Sequence, residues 1–360
     1  MRKKILFIAS HRKDRAPGQR FRFEQYFDYL NQHGFTCELS FLLDEKSDKV
    51  FYKPGHYFSK LVIFIRSYFI RFKNLLQKND YDIIFIFREA LMTRSVYFEK
   101  QFRKSKAKLV FDFDDAIWHF DISEANKNLG WLKNPEKTEK IISISNLVIA
   151  GNNYLADYAK RHNACVHIIP TTIDTDYHKK KTIKKDNRIC IGWTGSHTTI
   201  QHFEYAIPML KKLKDKYRDK IYFKVIGDEN YFNTDLSIQG IKWSLKDEIE
   251  QLSEIDIGIM PLPENEWTKG KCGFKGLQYM ALEIPCVMSP IGVNSEIISD
   301  GVNGFLADKE DEWVEKISML IENAELRKKI GTEARKTVIE KYSVESNKEK
   351  YLNIFNRLLS

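Results

Sequence analysis

The stretch "GKCGFKGLQYMALEIPCV", residues 270–287, decides how the chain is read. It starts as a loop carrying Gly270 and Gly273 with Lys271 and Lys275, runs into a helix, and emerges as a short apolar strand after Pro285. A glycine-bearing loop, a helix and a buried strand in that order belong to an open α/β sheet. There, ligands gather beyond the carboxyl ends of the strands and helix N-termini take anions.

Outward from that stretch the same alternation continues in both directions. "KILFIAS" at the start is a short apolar run, followed by "FRFEQYFDYLNQHG", which has helical spacing and closes at Gly34. "FTCELSFL", "DIIFIF", "KLVFDF", "NLVIAG" and "CVHIIP" then read as further strands. After a polar, basic stretch at 174–187 the pattern resumes with "RICIGWTG", "IYFKVIGD", "QGIKW", "DIGIMPL" and "IPCVMSP". Two helical segments follow at roughly 309–341, and a last amphipathic helix begins after Ser343, which suits an N-cap. Near-continuous apolar strands separated by helices predict parallel sheets covered on both faces. The expected organisation is an N-terminal domain over 1–173, a linker over 174–187 and a C-terminal domain over 188–343. Helix 344–360 is expected to pack back on the first domain.

Composition narrows the partners. With 360 residues, 43% hydrophobic and 30% charged, the chain is long enough for two cores and too apolar for disorder. No stretch approaches the ~20 apolar residues that span a bilayer. The basic, apolar start is too short for a leader and reads as a strand. Five scattered cysteines without metal spacing predict reduced thiols in a cytoplasmic protein. The net charge of +9 suits phosphorylated small molecules or anionic lipid; no nucleic-acid recognition signature accompanies it.

Polar residues just after strands form the candidate sites. "SHRKDRAPGQRFR" follows the first strand, with a tight turn at Pro17–Gly18 and cation forks at Arg15, Arg20 and Arg22 that suit a phosphate or carboxylate; a solvated basic loop is the plainer alternative. "FDFDDAIW" places Asp112 and Asp114 on one face of a strand and Asp115 in the loop. Three carboxylates there can orient a hydroxyl, act as a base, bind a metal, or simply cap the next helix. Arg88 and Glu89 hold the equivalent place one strand over, as ligand groups or as an ion pair. In the second half, Gly195 and Ser196 precede a helix with His197, Gly227–Asp228 leaves room for a base or ribose, and Lys271 and Lys275 flank Gly273 and Phe274 at a helix start. Cations at that place would neutralise a diphosphate leaving group.

The segment "DIGIMPLPENEWTKGKCGFKGLQYMALEIPCVMSPIGVNSEIISDGVNGFLA" resembles retaining glycosyltransferases of the GT-B fold, glycosyltransferase family 4 (group 1). Leu277, Met280, Ala281, Pro285, Val287, Gly292, Glu296, Asp300, Gly301, Asn303 and Gly304 carry the likeness. "GNNYLADYA" and "IIPTTIDT" resemble the family's last N-domain helix and interdomain crossing. The resemblance implies two Rossmann-like doubly wound domains facing a central cleft. The second would hold a nucleoside diphosphate sugar and the first a glycan or lipid-linked glycan acceptor, for cell-surface polysaccharide or other glycan assembly. No cofactor is implied beyond the donor itself. On this reading Gly195, Ser196, His197, Gly227, Asp228, Glu266, Gly273, Phe274, Gln278 and Glu296 bind donor. Gly18, Arg20, Arg22 and Arg88 bind acceptor, and Asp112, Asp114, Asp115, Lys271 and Lys275 carry the chemistry.

The chain also departs from the family pattern. Two glutamates usual in this loop and helix are Gly270 and Gln278 here, the catalytic histidine gives way to Asp114, and the usual basic pair is missing from "GWTGSHTT". Gln278 can accept and donate but brings no charge; Glu266 is the nearest substitute for the first glutamate. A non-catalytic sugar-nucleotide-binding or scaffold protein is the alternative, and Asp112–Phe113–Asp114 has the spacing of manganese-dependent transferases, although their single-sheet layout does not match. Residues 60–78, "KLVIFIRSYFIRFKNLLQK", could lie at the inner face of an anionic membrane, but the all-apolar run 61–65 favours burial against the sheet.

Overall fold

A computed structural model describes residues 2–119, 134, 136–183 and 187–360; for His197 it describes the backbone only. The chain forms two units, Met1–Thr171 with Asn347–Ser360, and Thr172–Ser346.

The first unit is built on six strands, β1 (Lys3–Ile8), β2 (Phe35–Ser40), β3 (Ile83–Phe87), β4 (Lys108–Phe113), β5 (Leu147–Ala150) and β6 (Val166–Ile168). They lie in the order β2-β1-β3-β4-β5-β6, every pair parallel. Every residue of β3 is buried, as a strand covered on both faces requires. Because all six strands run the same way, the residues after Ile8, Phe87 and Phe113 come to one edge of the sheet. Phe7 packs against Phe23, Phe27 and Phe85 with ring centroids 5.2, 4.7 and 4.9 Å apart. The segment expected as one helix up to Gly34 is a 3-10 turn at Glu24–Tyr26 followed by a helix at Phe27–Gln32, and Gly34 closes it at φ 92°. The last helix, Val344–Leu359, has Ser343 accepting from the Ser346 N–H at 3.0 Å. Its Tyr351 and Phe355 are buried in this unit against Tyr26 and Phe85.

One expectation is reversed. Helix Tyr57–Leu76 buries Lys60, Ile63, Ser67, Arg71 and Asn74, while Leu61, Val62, Phe64 and Ile65 of the apolar run stand 39–54% exposed. The reason is that Arg71, wholly buried, is wanted inside. It donates to the carbonyls of Ala90 (2.5 Å) and Ala9 (2.7 Å) and to Ser40 Oγ (2.8 Å), which ties the segments after β1 and β3 to the end of β2.

The second unit has a parallel sheet of β7 (Ile189–Thr194), β8 (Ile221–Ile226), β11 (Ile257–Met260), β12 (Cys286–Met288) and β13 (Phe305–Leu306), ordered β13-β12-β11-β7-β8. An antiparallel hairpin of β9 (Phe232–Asn233) and β10 (Ile238–Gln239) follows β8. "QGIKW" is therefore not a sheet strand: Gln239 ends the hairpin and Ile241 makes a single bridge to Ile226. Two glycines set helix Phe274–Ala281 close on the sheet. A Cβ on Gly258 would lie 2.4 Å from the Tyr279 ring, and one on Gly276 would lie 2.4 Å from the Met288 sulfur. Tyr279 then accepts from the Thr194 N–H at 2.8 Å, tying the end of β7 to this helix. Residues 175–178, inside the stretch read as a linker, are held to this unit by Arg335, which donates to the carbonyls of Thr175 (3.1 Å) and His178 (2.8 Å).

Candidate functional site

Each unit gathers polar groups at the carboxyl edge of its sheet. In the first unit the three aspartates part company. Asp112 is wholly buried and accepts a two-pronged contact from equally buried Arg22, Nη2 to Oδ1 at 2.5 Å and Nε to Oδ2 at 3.2 Å. Arg22 also donates to the Ile169 carbonyl, and its own carbonyl accepts from Tyr351 at 2.9 Å. Burial pushes the Asp112 carboxyl up and the Arg22 fork opposes it. These two side chains bind the fold together rather than a ligand, which corrects their assignment to catalysis and acceptor binding. The Asp-x-Asp spacing likewise offers no free pair of metal ligands, because its first carboxylate is spent in the core.

Asp114 and Asp115 behave differently. Arg88 donates from Nε to Asp114 Oδ1 at 2.7 Å and from Nη2 to Asp115 Oδ2 at 2.6 Å, with these carboxylates 11% and 15% exposed and the guanidinium side chain 37% exposed. Arg88 holds φ 61°, an unfavourable conformation for a residue with a side chain, and its N–H reaches the Asp112 carbonyl at 2.8 Å. Gly18 sits on this cluster: a Cβ there would be 3.0 Å from Asp114 Oδ2 and 3.1 Å from Phe87. The Arg20 guanidinium lies over the Phe21 ring at 4.7 Å.

Sequence reasoning passed over His11 in the same loop. Its Nε2 meets the Tyr52 hydroxyl at 2.9 Å and its Nδ1 lies 4.0 Å from Asp48, which also takes Arg12 (2.8 Å) and Arg15. Burial lowers the His11 pKa to about 4, against the pull of Asp48, so the imidazole is neutral near pH 7. Burial raises Glu24 to about 6 although it accepts from the Asp14 N–H and from Gln19. Part of the basic loop is therefore already neutralised from within.

In the second unit, helix Phe274–Ala281 is opened by Gly273 at φ 67°, where a Cβ would meet Ile297 at 2.3 Å. That packing seats the helix N-terminus on the short helix Asn294–Ile297, whose Glu296 is exposed. Lys271 Nζ lies 4.8 Å over the Trp267 ring, and Lys275 Nζ lies 5.4 Å over the Trp193 ring. The Trp193 ring also fills the space a side chain at Gly195 would take, so Lys275 stands beside the first loop of this unit. Two half-buried lysines and the positive end of a helix are groups that can attract an anion.

Gln278, one turn on from Lys275, is 3% exposed and donates to Glu248 Oε1 at 3.3 Å. Trp243 Nε1 donates to the same oxygen at 3.1 Å. A carboxylate thus stands beside the position where Gln278 brings no charge. It comes from a helix 30 residues upstream, and nothing in the sequence pointed to it.

The remaining expectations sort plainly. Gly227 is needed by the fold: at φ 122° a Cβ would lie 1.8 Å from the Gly195 carbonyl, so the room expected for a base is filled by backbone. Ser196 caps the turn His197–Thr199 reciprocally with Thr199. The His197 side chain lies outside the described residues. Asp228 is buried and accepts from the Asn230 N–H at 3.1 Å, shaping the turn after β8. Glu266 is exposed and pairs with Lys269 at 2.7 Å. Among the described residues, no three His, Cys, Asp or Glu side chains converge as a metal site would need.

These two parallel-sheet units define the GT-B fold, and solved structures share it. Residues 188–323 match the family model described as glycosyl transferases group 1. A poly(ribitol-phosphate) alpha-N-acetylglucosaminyltransferase of Staphylococcus aureus (strain COL) is 42% identical over 64 residues, 17% of this chain and 13% of its own length. A glycosyltransferase of Rickettsia africae ESF-5 superposes with a TM-score of 0.70 at 17% identity, over 100% of this chain and 99% of its own. HepE of Anabaena, solved with UDP and glucose, gives 0.66 at 15% identity, over 98% and 99%. At such identities the structural likeness is one of fold, while the family match in the second unit supports a glycosyltransferase.

Proposed function

We propose that the chain is a glycosyltransferase that moves a sugar from a nucleoside diphosphate sugar to an acceptor hydroxyl with retention of anomeric configuration, in the manner of glycosyltransferase family 4. The observation that carries this reading is the grouping of Lys271, Lys275 and the N-terminus of helix Phe274–Ala281 with the Gln278–Glu248 pair, inside the segment that matches the family. The lysines and the helix end meet the diphosphate, and their attraction grows as the bond to the anomeric carbon breaks and charge collects on the leaving oxygen. Gln278, steadied by Glu248, contacts donor hydroxyls, and Glu296 stands on the short helix that packs against Gly273. The nearby structures solved with UDP and glucose make UDP-sugars the first donors to try.

The first unit presents the acceptor. Asp114 and Asp115, both held by Arg88, accept the hydrogen bond of the attacking hydroxyl, and Arg20 supplies positive charge at the rim of the same edge. The acceptor is a glycan or lipid-linked glycan, and the place of action the cytoplasmic face of the cell membrane. No metal or cofactor enters this reading. Incubation with UDP- and GDP-sugars and simple glycoside acceptors, followed by NMR of the anomeric proton, tests it. A product with the donor's own anomeric configuration is expected; donor binding without any product would make the chain a sugar-nucleotide-binding scaffold.

A further inference from the structure

Helix Tyr57–Leu76 is inside out. Its buried side holds Lys60, Ser67, Arg71 and Asn74, and its outer side holds Tyr57, Phe58, Leu61, Val62, Phe64, Ile65, Tyr68, Phe69, Phe72 and Leu76, each between 39% and 81% exposed. At about 100° per residue these outer positions fill an arc of roughly 160° opposite the buried side. Single exposed apolar residues are ordinary on a protein surface; a continuous stripe along 20 residues is not. The inward arginine network fixes this orientation, so the helix cannot roll to hide the stripe.

We propose that this face docks the first unit on a lipid bilayer rich in anionic headgroups, with the helix axis in the plane of the interface. Charge selects this occupant. From Lys49 to Asn79 the sequence contains no acidic residue. Arg66 and Lys73 sit at the border of the apolar arc, and Arg66 is paired with Asp44. Helix Tyr97–Arg103 packs alongside, with Tyr68 edge-on to Phe98 at 5.2 Å, and adds exposed Tyr97, Lys100 and Arg103, with Lys104 just beyond it. An apolar stripe with a basic border fits an interface where rings enter the acyl boundary and ammonium groups meet phosphates. A second copy of the chain would bring two such basic borders together and is disfavoured. Among the described residues no helix is long and apolar enough to cross a membrane, so this helix lies on the bilayer and does not span it.

The surface is read from the first unit alone and stands apart from the proposed transfer reaction. If both hold, the acceptor carboxylates and the lipid share one unit. The test is flotation of the full chain with vesicles of phosphatidylcholine, or of equal parts phosphatidylcholine and phosphatidylglycerol. Wild type is expected to float with the anionic vesicles, less so at high salt. The F58S/F69S double variant, altered only at solvated positions, should partition at least about tenfold more weakly because two exposed rings no longer enter the bilayer. In F69W, tryptophan emission should shift to the blue with anionic vesicles, reporting entry of that position. Wild type that stays with the buffer, or a double variant that floats as wild type does, overturns the proposal. So does a concentration-dependent dimer that the double variant abolishes, since the face would then belong to a second copy. None of these readouts needs donor or turnover, so failure here and failure of the transfer reading are separately visible.

Discussion

Replacing Arg22 by Met removes one partner from a pair in which neither side chain is exposed. Asp112 would then be an uncompensated carboxylate in the core, and the Ile169 carbonyl would lose its donor. Breaking a buried pair from one side costs about 3–5 kcal/mol. For a unit of this size, each kcal/mol lowers the melting temperature by about 2–4 °C. The single variant should therefore melt about 6–20 °C below wild type. Removing both charges, Arg22→Met with Asp112→Leu, takes away the stranded carboxylate and leaves chiefly the unpaired Ile169 carbonyl, worth about 1–3 kcal/mol. Urea unfolding should then find the double variant about 2 kcal/mol more stable than Arg22→Met alone. If Arg22→Met melts like wild type yet loses acceptor binding, these residues face ligand after all and the core assignment is wrong.

Three further outcomes are expected. Gly227→Ala forces a Cβ against the Gly195 carbonyl at a φ of 122°, and should cost about 2–4 kcal/mol in thermal unfolding, far more than an Ala at exposed Gly301. Half-buried His11, lowered to about 4 from 6.5, binds its proton more weakly in the fold than in the unfolded chain. Its contribution is therefore fully present above pH 6.5 and lost as pH falls toward 4; the stability gap between wild type and His11→Gln should shrink by at most about 3 kcal/mol over that window, a comparison in which the opposing effect of buried Glu24 is common to both proteins. Gln278→Leu strips the Glu248 carboxylate of one donor and should raise the donor KM roughly tenfold while moving kcat less than about threefold, as steady-state kinetics would show.

Strands such as Ile83–Phe87 were legible because a strand buried on both faces writes its burial as an unbroken apolar run. Gly34 and Ser343 were legible because left-handed closure and capping are local events. Run 61–65 misled because hydrophobicity states a preference for burial and not its fulfilment; a buried arginine needed by the ends of β1 and β2 turned the helix the other way. The strand period placed Asp112 and Asp114 on one face but said nothing of depth, and a register-distant Arg22 decided which one was consumed. Gly227 was read as room for a ligand when the room belongs to Gly195. Glu248 was out of reach altogether, since its partner Gln278 lies 30 residues away with no shared local signal.

The account depends on a diphosphate being held by Lys271 and Lys275 at the start of helix Phe274–Ala281, and thermal unfolding with UDP- and GDP-sugars asks this directly. Wild type should gain about 2.7 kcal/mol of stability from a fitting donor at a hundred times its Kd. The Lys271→Ala/Lys275→Ala protein should unfold at the same temperature as wild type when alone and gain little at the same donor concentration. A double variant stabilised as fully as wild type would place the nucleotide elsewhere and contradict the account.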